Sequence, residues 1–195
     1  MKPVSGIMNI PSEKQCYQLI DEMGMLTHIV AHSEQVCRVA LCLSRDLVFG
    51  GIQLNQDLIR AAAMLHDITK TRSFETKENH AETGAQYLIE KGYPEVGHIV
   101  AQHVRLDQYF SSTTPVEAEI VNYADKRVLH DKIASLKARM GYILKKYGKN
   151  NASQERIKQI WDKSLALEAR LFAYLPFQPD QLKAVVAQTT GPKRE

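Results

Sequence analysis

Apolar residues recur at intervals of three and four along almost all of this 195-residue chain, and short apolar stretches alternating at period two between turn residues are missing. That periodicity lines one stripe of an α-helix, so it predicts an all-α fold. Helices are expected from Ser12, after Pro11, to Gly24, from about His28 to Leu47 ahead of Gly50-Gly51, and from Asp57 to about Thr69. "NHAETGAQYLIEKGYP" starts with Asn79 as a cap and Glu82 three residues on, a reciprocal capping arrangement, and closes on Gly92 and Pro94. Pro94 opens a helix to about Leu106. Pro115 starts a longer one, with a stripe through Ile120, Ala124, Val128, Ile133, Leu136, Met140, Ile143 and Tyr147, and a break near His130 is left open. After "GKNNAS", a helix from Ser153 to about Tyr174 turns Ile157, Ile160, Trp161, Leu165 and Phe172 inward, and a short helix follows Pro179. Residues 70–78 and 107–115 read as polar loops bordering a site.

The chain is 44% hydrophobic and 24% charged, enough for one sizeable core, so a single domain over residues 1–195 is expected. No apolar run approaches the ~18 to 20 residues that cross a bilayer, and "MKPVSGIMNIPSE" lacks the hydrophobic segment of a secretory signal. A cytoplasmic protein with no membrane partner is the expectation. Cys16, Cys37 and Cys42 are odd in number, lack C-x-x-C spacing and have apolar neighbours, which points to core packing and away from disulfides or thiolate zinc. Residues 1–125 hold 10 Lys/Arg against 16 Asp/Glu, whereas residues 126–163 hold 11 against 3. So basic a segment attracts polyphosphate, RNA or an acidic partner, but its charges alternate with apolar residues at helical spacing and a solvated helix face is the simpler account.

Several polar residues fall on stripes that should be buried. His32 is four before Val36, His66 follows Ala62 by four and Ile59 by seven, and His103 follows Ile99 by four and Val96 by seven. His80, four before Gly84, and Asp125, four after Val121, lean the same way. A lone core histidine is ordinarily satisfied by a hydrogen bond. Five such residues on five helices, with Asp67 beside His66 and no Lys or Arg on the same stripes, need pairing, neutralisation or coordination. A shared metal centre meets all of them together. Imidazole and carboxylate without thiolate suit iron or manganese first, then zinc, cobalt or nickel, and suit calcium poorly. Neighbouring helical residues diverge by about 100°, so His66 and Asp67 reach one centre only if their helix ends against it or if the carboxylate spans two ions. Two ions sharing Asp67 would activate a hydroxide and clamp a phosphoryl group.

The ordered series of His32, His66-Asp67 and Asp125 in "NYADKRV" resembles the HD-domain (HDIG-type) metal-dependent phosphohydrolase superfamily over about residues 27–130. "HSEQVCRVALCLS" is similar to the family's first-ligand helix, and "LIRAAAMLHDITK" to its central helix. The resemblance implies an HD-domain helical bundle with additional C-terminal helices over about 131–190. It also implies an enzyme that uses a metal-activated hydroxide to cleave a phosphoester or phosphoanhydride bond in a phosphorylated, nucleotide-like small molecule. His32, His66, Asp67 and Asp125 are then the core metal ligands, and His80 and His103 stand where two-metal branches insert histidines for a second ion. By the same resemblance Asp67 bridges the ions and positions the hydroxide, and Lys70 stabilises charge on the phosphoryl oxygens.

Thr69 departs from the family's usual HD-x-G-K or HD-x-A-K, and a β-branched residue, which disfavours positive φ, would hold that loop further from substrate. His28, four before His32, is the rival first ligand. Arg72, Arg105 and Arg127 stand near the supposed ligands; Arg105 is assigned to substrate phosphate alongside Lys70, although salt-bridge pairing is the simpler reading for any one of the three. The helices after residue 130 are expected to serve packing, to narrow the substrate mouth or to pair two subunits as a homodimer. The alternative function is a non-catalytic module that senses a nucleotide, or binds RNA or a partner, around a structural metal. Residues 126–163 contain Tyr142, Tyr147 and Trp161 but no RNA-binding signature, so nucleic acid is not the expected partner.

Overall fold

Local capping sets the first helix in the computed structural model, which describes residues 8–189. Ser12 Oγ accepts from the Gln15 amide, and the Gln15 side chain accepts from the Ser12 amide in return, opening α1 (Glu13–Glu22). The start of the segment compared above with a secretory signal, and residue 190 of the expected C-terminal extension, lie outside the described residues.

The all-α expectation holds. The long α2 (Thr27–Phe49) buries His32, Val36, Val39, Ala40, Leu43 and Leu47 on one stripe, and packs against α3 (Gln56–Leu65) and α7 (Glu117–Lys126). α3 is the central rod, and every residue from 61 to 69 is buried. It stops at Leu65, four residues before the expected end, where Ile68 N donates to Leu65 O and Lys70 N to Asp67 O in a tight turn. A further helix, α4 (Lys70–Thr76), occupies the stretch read as a polar loop. It buries no residue, so its sequence shows no stripe.

α5 (His80–Glu90) and α6 (Pro94–Ala101) form a close pair. Gly97 permits their approach, because a Cβ there would lie 2.7 Å from Ala85 O and 2.8 Å from Ile89 Cγ1. Asn79 caps α5 through the Ala81 amide, without the reciprocal Glu82 bond among the described contacts. α6 ends at Ala101, short of the expected Leu106, and Leu106 remains buried beyond it.

The long apolar stripe after Pro115 is broken. α7 gives way to a hairpin of β1 (Val128–Leu129) and β2 (Lys132–Ile133), paired antiparallel, before α8 (Leu136–Tyr147) resumes the helix. This short ladder corrects the expectation of no strands. Asn150 caps α9 (Asn151–Phe172), and α10 (Leu182–Thr189) closes the described chain against α2. Ile157 and Phe172 are buried as read, but Trp161 is only half-buried and Leu165 is 46% exposed, so the inward stripe of α9 is narrower than its apolar residues suggest. Cys16, Cys37 and Cys42 are free and buried in the core.

Candidate metal centre

His32 enters the centre of the molecule from α2, His66 and Asp67 from the end of α3, His80 from the start of α5, His103 from just beyond α6, and Asp125 from α7. His32, His66, Asp67 and His103 are buried, and His80 and Asp125 are half-buried. His66 is the C-terminal cap of α3. The helix therefore ends against the centre, which is what lets two adjacent residues face it together.

Three imidazoles are anchored in the same way. His32 Nδ1 donates to the backbone carbonyl of His130 at 2.7 Å, His66 Nδ1 to Ala63 O at 2.8 Å and His103 Nδ1 to Val100 O at 2.7 Å. A carbonyl only accepts, so each Nδ1 carries a proton and each ring turns its Nε2 toward the centre. Those Nε2 atoms converge. His32 Nε2 lies 3.1 Å from Asp125 Oδ1, and His66 Nε2 lies 3.6 Å from Asp67 Oδ2 and 3.9 Å from Asp125 Oδ1. His80 Nε2 and His103 Nε2 are 3.2 Å apart and lie 3.2 and 3.5 Å from Asp67 Oδ1. Ligand-type atoms thus form two compact trios, His32–His66–Asp67 and Asp67–His80–His103, with Asp67 common to both.

Electrostatics keeps the acids charged and His66 neutral. Burial opposes the Asp67 carboxylate, but His66, His103, His80 and Lys70 outweigh it and hold its pKa well below the usual range. Burial is likewise outweighed at Asp125, chiefly by the bond from His32 and by Lys126 and Arg139. At His66 burial wins over the pull of Asp67, and the ring is pushed down to about 4. His80 is lowered, first by burial. At His32 the bond to Asp125 overcomes burial and raises the value.

His66 Nε2 supplies the test of fit. It is buried, has no hydrogen-bond partner, and points its lone pair at two carboxylates. An acceptor so placed is costly, and a cation between these atoms satisfies it. The donor set of imidazole and carboxylate, with main-chain carbonyls orienting the rings from behind, fits a first-row transition metal.

A cavity of about 490 Å³ opens above Asp67, His80, His103 and Asp125. Lys70 lines it, with Nζ 3.4 Å from Asp67 Oδ1 and 3.2 Å from His80 Nε2. Arg105 does not line it: the side chain is exposed beside a separate depression with Asn79, Glu82 and Asp107, so the assignment to substrate is corrected. Arg72 pairs with Glu78, and Arg127 is buried in a network with Tyr123, Glu168 and Pro179 O. His28 is exposed and belongs to neither trio. Thr69 has φ −100, needing no left-handed backbone, and its hydroxyl donates to His80 O at 2.9 Å. The β-branched residue therefore anchors the α5 start.

Sequence reasoning missed Arg139, which lines the cavity from α8 with Nη2 3.6 Å from Asp125 Oδ1. It lies within a basic segment read as solvated, and only its long-range contact sets it apart. The His130 carbonyl that orients His32 was equally invisible, since a main-chain acceptor leaves no mark on residue type.

Two curated relatives align with parts of the chain. One is the tRNA (cytidine(56)-2'-O)-methyltransferase of Picrophilus torridus, 29% identical over 146 residues that cover 67% of this chain and 40% of the relative. The other is the dihydroneopterin 2',3'-cyclic phosphate phosphodiesterase of Methanocaldococcus jannaschii, 32% identical over 113 residues that cover 50% of this chain and 45% of the relative. The chain thus spans less than half the length of either. The crystal structure of a predicted HD superfamily hydrolase from an uncultured Thermotogales bacterium is 19% identical, with a TM-score of 0.46 over 85% of this chain and 94% of that one. The family model described as HD domain matches residues 29–128, a little over half the sequence and the stretch that carries all six clustered side chains. With that match over a helical fold whose His and Asp residues converge in the family's order, the chain belongs to the HD-domain family.

Proposed function

We propose that the protein is a metal-dependent phosphohydrolase acting on a phosphorylated, nucleotide-like small molecule. The observation that carries this reading is the pair of His/Asp trios sharing Asp67, with the orphaned Nε2 of His66 in one of them. The phosphodiesterase activity in the name of the Methanocaldococcus relative agrees in reaction class. His32, His66, Asp67 and Asp125 would hold one ion, and His80 and His103 a second that also uses Asp67, iron or manganese being the first choices. When bound, such ions supply charge neutralisation at the phosphoryl group and a water of lowered pKa.

The protein's own groups then have distinct tasks. Asp67 stays ionised although buried, so its two oxygens face both trios. Lys70, on the cavity side of Asp67 and His80, offers its Nζ to the phosphoryl oxygens. Arg139 takes the phosphate-binding part expected of Arg105: it lines the cavity, and its Nε is buried without a partner. Asn122 and Lys126 hold the His103 carbonyl from below, at 3.1 and 2.8 Å, and fix the turn that presents this ring. We read the whole chain as one domain, an HD core over about 27–130 extended by C-terminal helices, because α8 and α9 complete the cavity.

Hydrolysis of phosphomonoesters and cyclic phosphodiesters in added Mn²⁺ or Fe²⁺ tests this reading. His66→Ala and Asp67→Ala should each lower turnover by at least about a hundredfold with the helical circular dichroism spectrum retained. Full activity in either purified variant overturns it, and a wild-type protein that binds nucleotide and metal without turnover supports the non-catalytic module instead.

A further inference from the structure

The cavity has two unlike halves. Its floor carries Lys70, Lys126 and Arg139 around the His/Asp cluster. Its wall is apolar: Phe74 from α4, Val104 after α6, Ile143 and Tyr147 from α8, and Ile157 and Ile160 from α9. Phe74 and Tyr147 are 48% and 52% exposed, so the mouth leaves aromatic surface open to water directly above a charged floor.

That wall is poorly suited to a chain of phosphates. Above the floor, Lys77 Nζ already donates to the Phe74 carbonyl, and Lys146, at the rim, lies over the Tyr147 ring 5.4 Å from its centroid and donates to Tyr142 Oη. A second or third phosphate reaching up the cavity would lose water against aliphatic side chains with little to pair it. The wall is also poorly suited to reading the edge of a base. Its side-chain polar groups among the described residues are the hydroxyls of Ser73, which donates to Lys70 O, and of Tyr147 at the rim. What it offers is apolar area, with one aromatic ring on α4 and another on α8, in a volume ordinary for a small-molecule site, about 300–1,000 Å³.

We infer that the substrate bears a single phosphoryl group on a flat, uncharged ring system, with the ring lying against α4, α8 and α9 and held by apolar contact without edge-specific hydrogen bonds. The phosphoryl end of this inference rests on the proposed function; the ring end rests on the wall alone. Most of the wall comes from α8 and α9, beyond residues 29–128, so substrate choice is built by the segment that follows the family match.

Phosphonates, which are not hydrolysed, test this by isothermal titration of the full chain loaded with Mn²⁺. Naphthylmethylphosphonate should bind at least tenfold more tightly than methylphosphonate. A quinolinylmethyl analogue should fall within threefold of the naphthyl compound, since nothing reads the ring nitrogen. Phe74→Ser, a change at a half-exposed position that does not threaten folding, and Ile143→Asp should each cut the naphthyl-to-methyl ratio severalfold. Equal affinities for naphthyl and methyl compounds, or a ratio unchanged in both variants, overturns the inference. Naphthylmethylphosphonate binding that retains its preference and is indifferent to chelator contradicts the phosphohydrolase reading while supporting the ring site.

Discussion

The imidazole of His66 concentrates the chemistry of the centre in one residue. Burial pushes it down to about 4, whereas the unfolded chain protonates it near 6.5. Between those values the unfolded state binds more protons, so in metal-free protein this group removes stability as the pH falls from about 6.5 to about 4. His80, lowered first by burial, acts in the same direction. His32, raised by Asp125 against the effect of burial, does the opposite: its contribution is full below the unfolded value and is lost as the pH rises through the folded one. His66→Asn removes the titration of this ring. Denaturant melts with chelator present should therefore move in favour of the variant, relative to wild type, by up to about 3 kcal/mol between pH 7 and pH 4. A difference independent of pH contradicts the buried neutral imidazole. Positions such as His66 and His103 were legible because a polar residue on an apolar stripe is anomalous in one dimension. Arg139 was not, because an arginine on a basic helix is ordinary until the fold brings it 3.6 Å from Asp125.

At the scale of elements, the α7–α8 break shows where periodicity stops being informative. The apolar stripe continues through residues 128–133, yet the chain turns there, with His130 at φ 56. No Gly or Pro marks the turn; tertiary bonds hold it. Arg127 Nε donates to Ala134 O across the hairpin base, and its guanidinium reaches Glu168 and Pro179 O. The hairpin in turn delivers the carbonyl that orients His32, so a break without a sequence signal supports a side chain of the cluster. Local capping and glycine placement, by contrast, read well. The α5–α6 pair depends on the missing side chain at Gly97, and Gly97→Ala should lower stability by about 1–3 kcal/mol through overpacking against Ala85 O and Ile89. Thermal melts check this, and an unchanged or raised Tm shows that the pair can spread at no cost.

Across the whole molecule, α1 to α7 build the His/Asp cluster and most of the core, Leu171 of α9 and Leu182 of α10 add to that core, and α8 and α9 fold back to complete the cavity. The first part was legible because helical spacing and residue type suffice to turn His32, His66, His80, His103 and Asp125 inward, while Asp67 joins them only because α3 ends at the centre. The second was not, since the placement of α8 and α9 depends on the turn at 128–133 and on contacts distant in sequence. No helix among the described residues is long and apolar enough to cross a membrane. The charge imbalance also becomes intelligible at this scale: an acid-rich segment carries the His/Asp cluster, and basic α8 supplies Arg139 beside it. The most direct measurement is metal content after Mn²⁺ loading and removal of free ion, made on wild type, His103→Ala and Asp67→Ala. Two trios sharing one carboxylate predict about two, one and zero ions per chain. Asp67→Ala protein that keeps the wild-type metal content would contradict the shared centre.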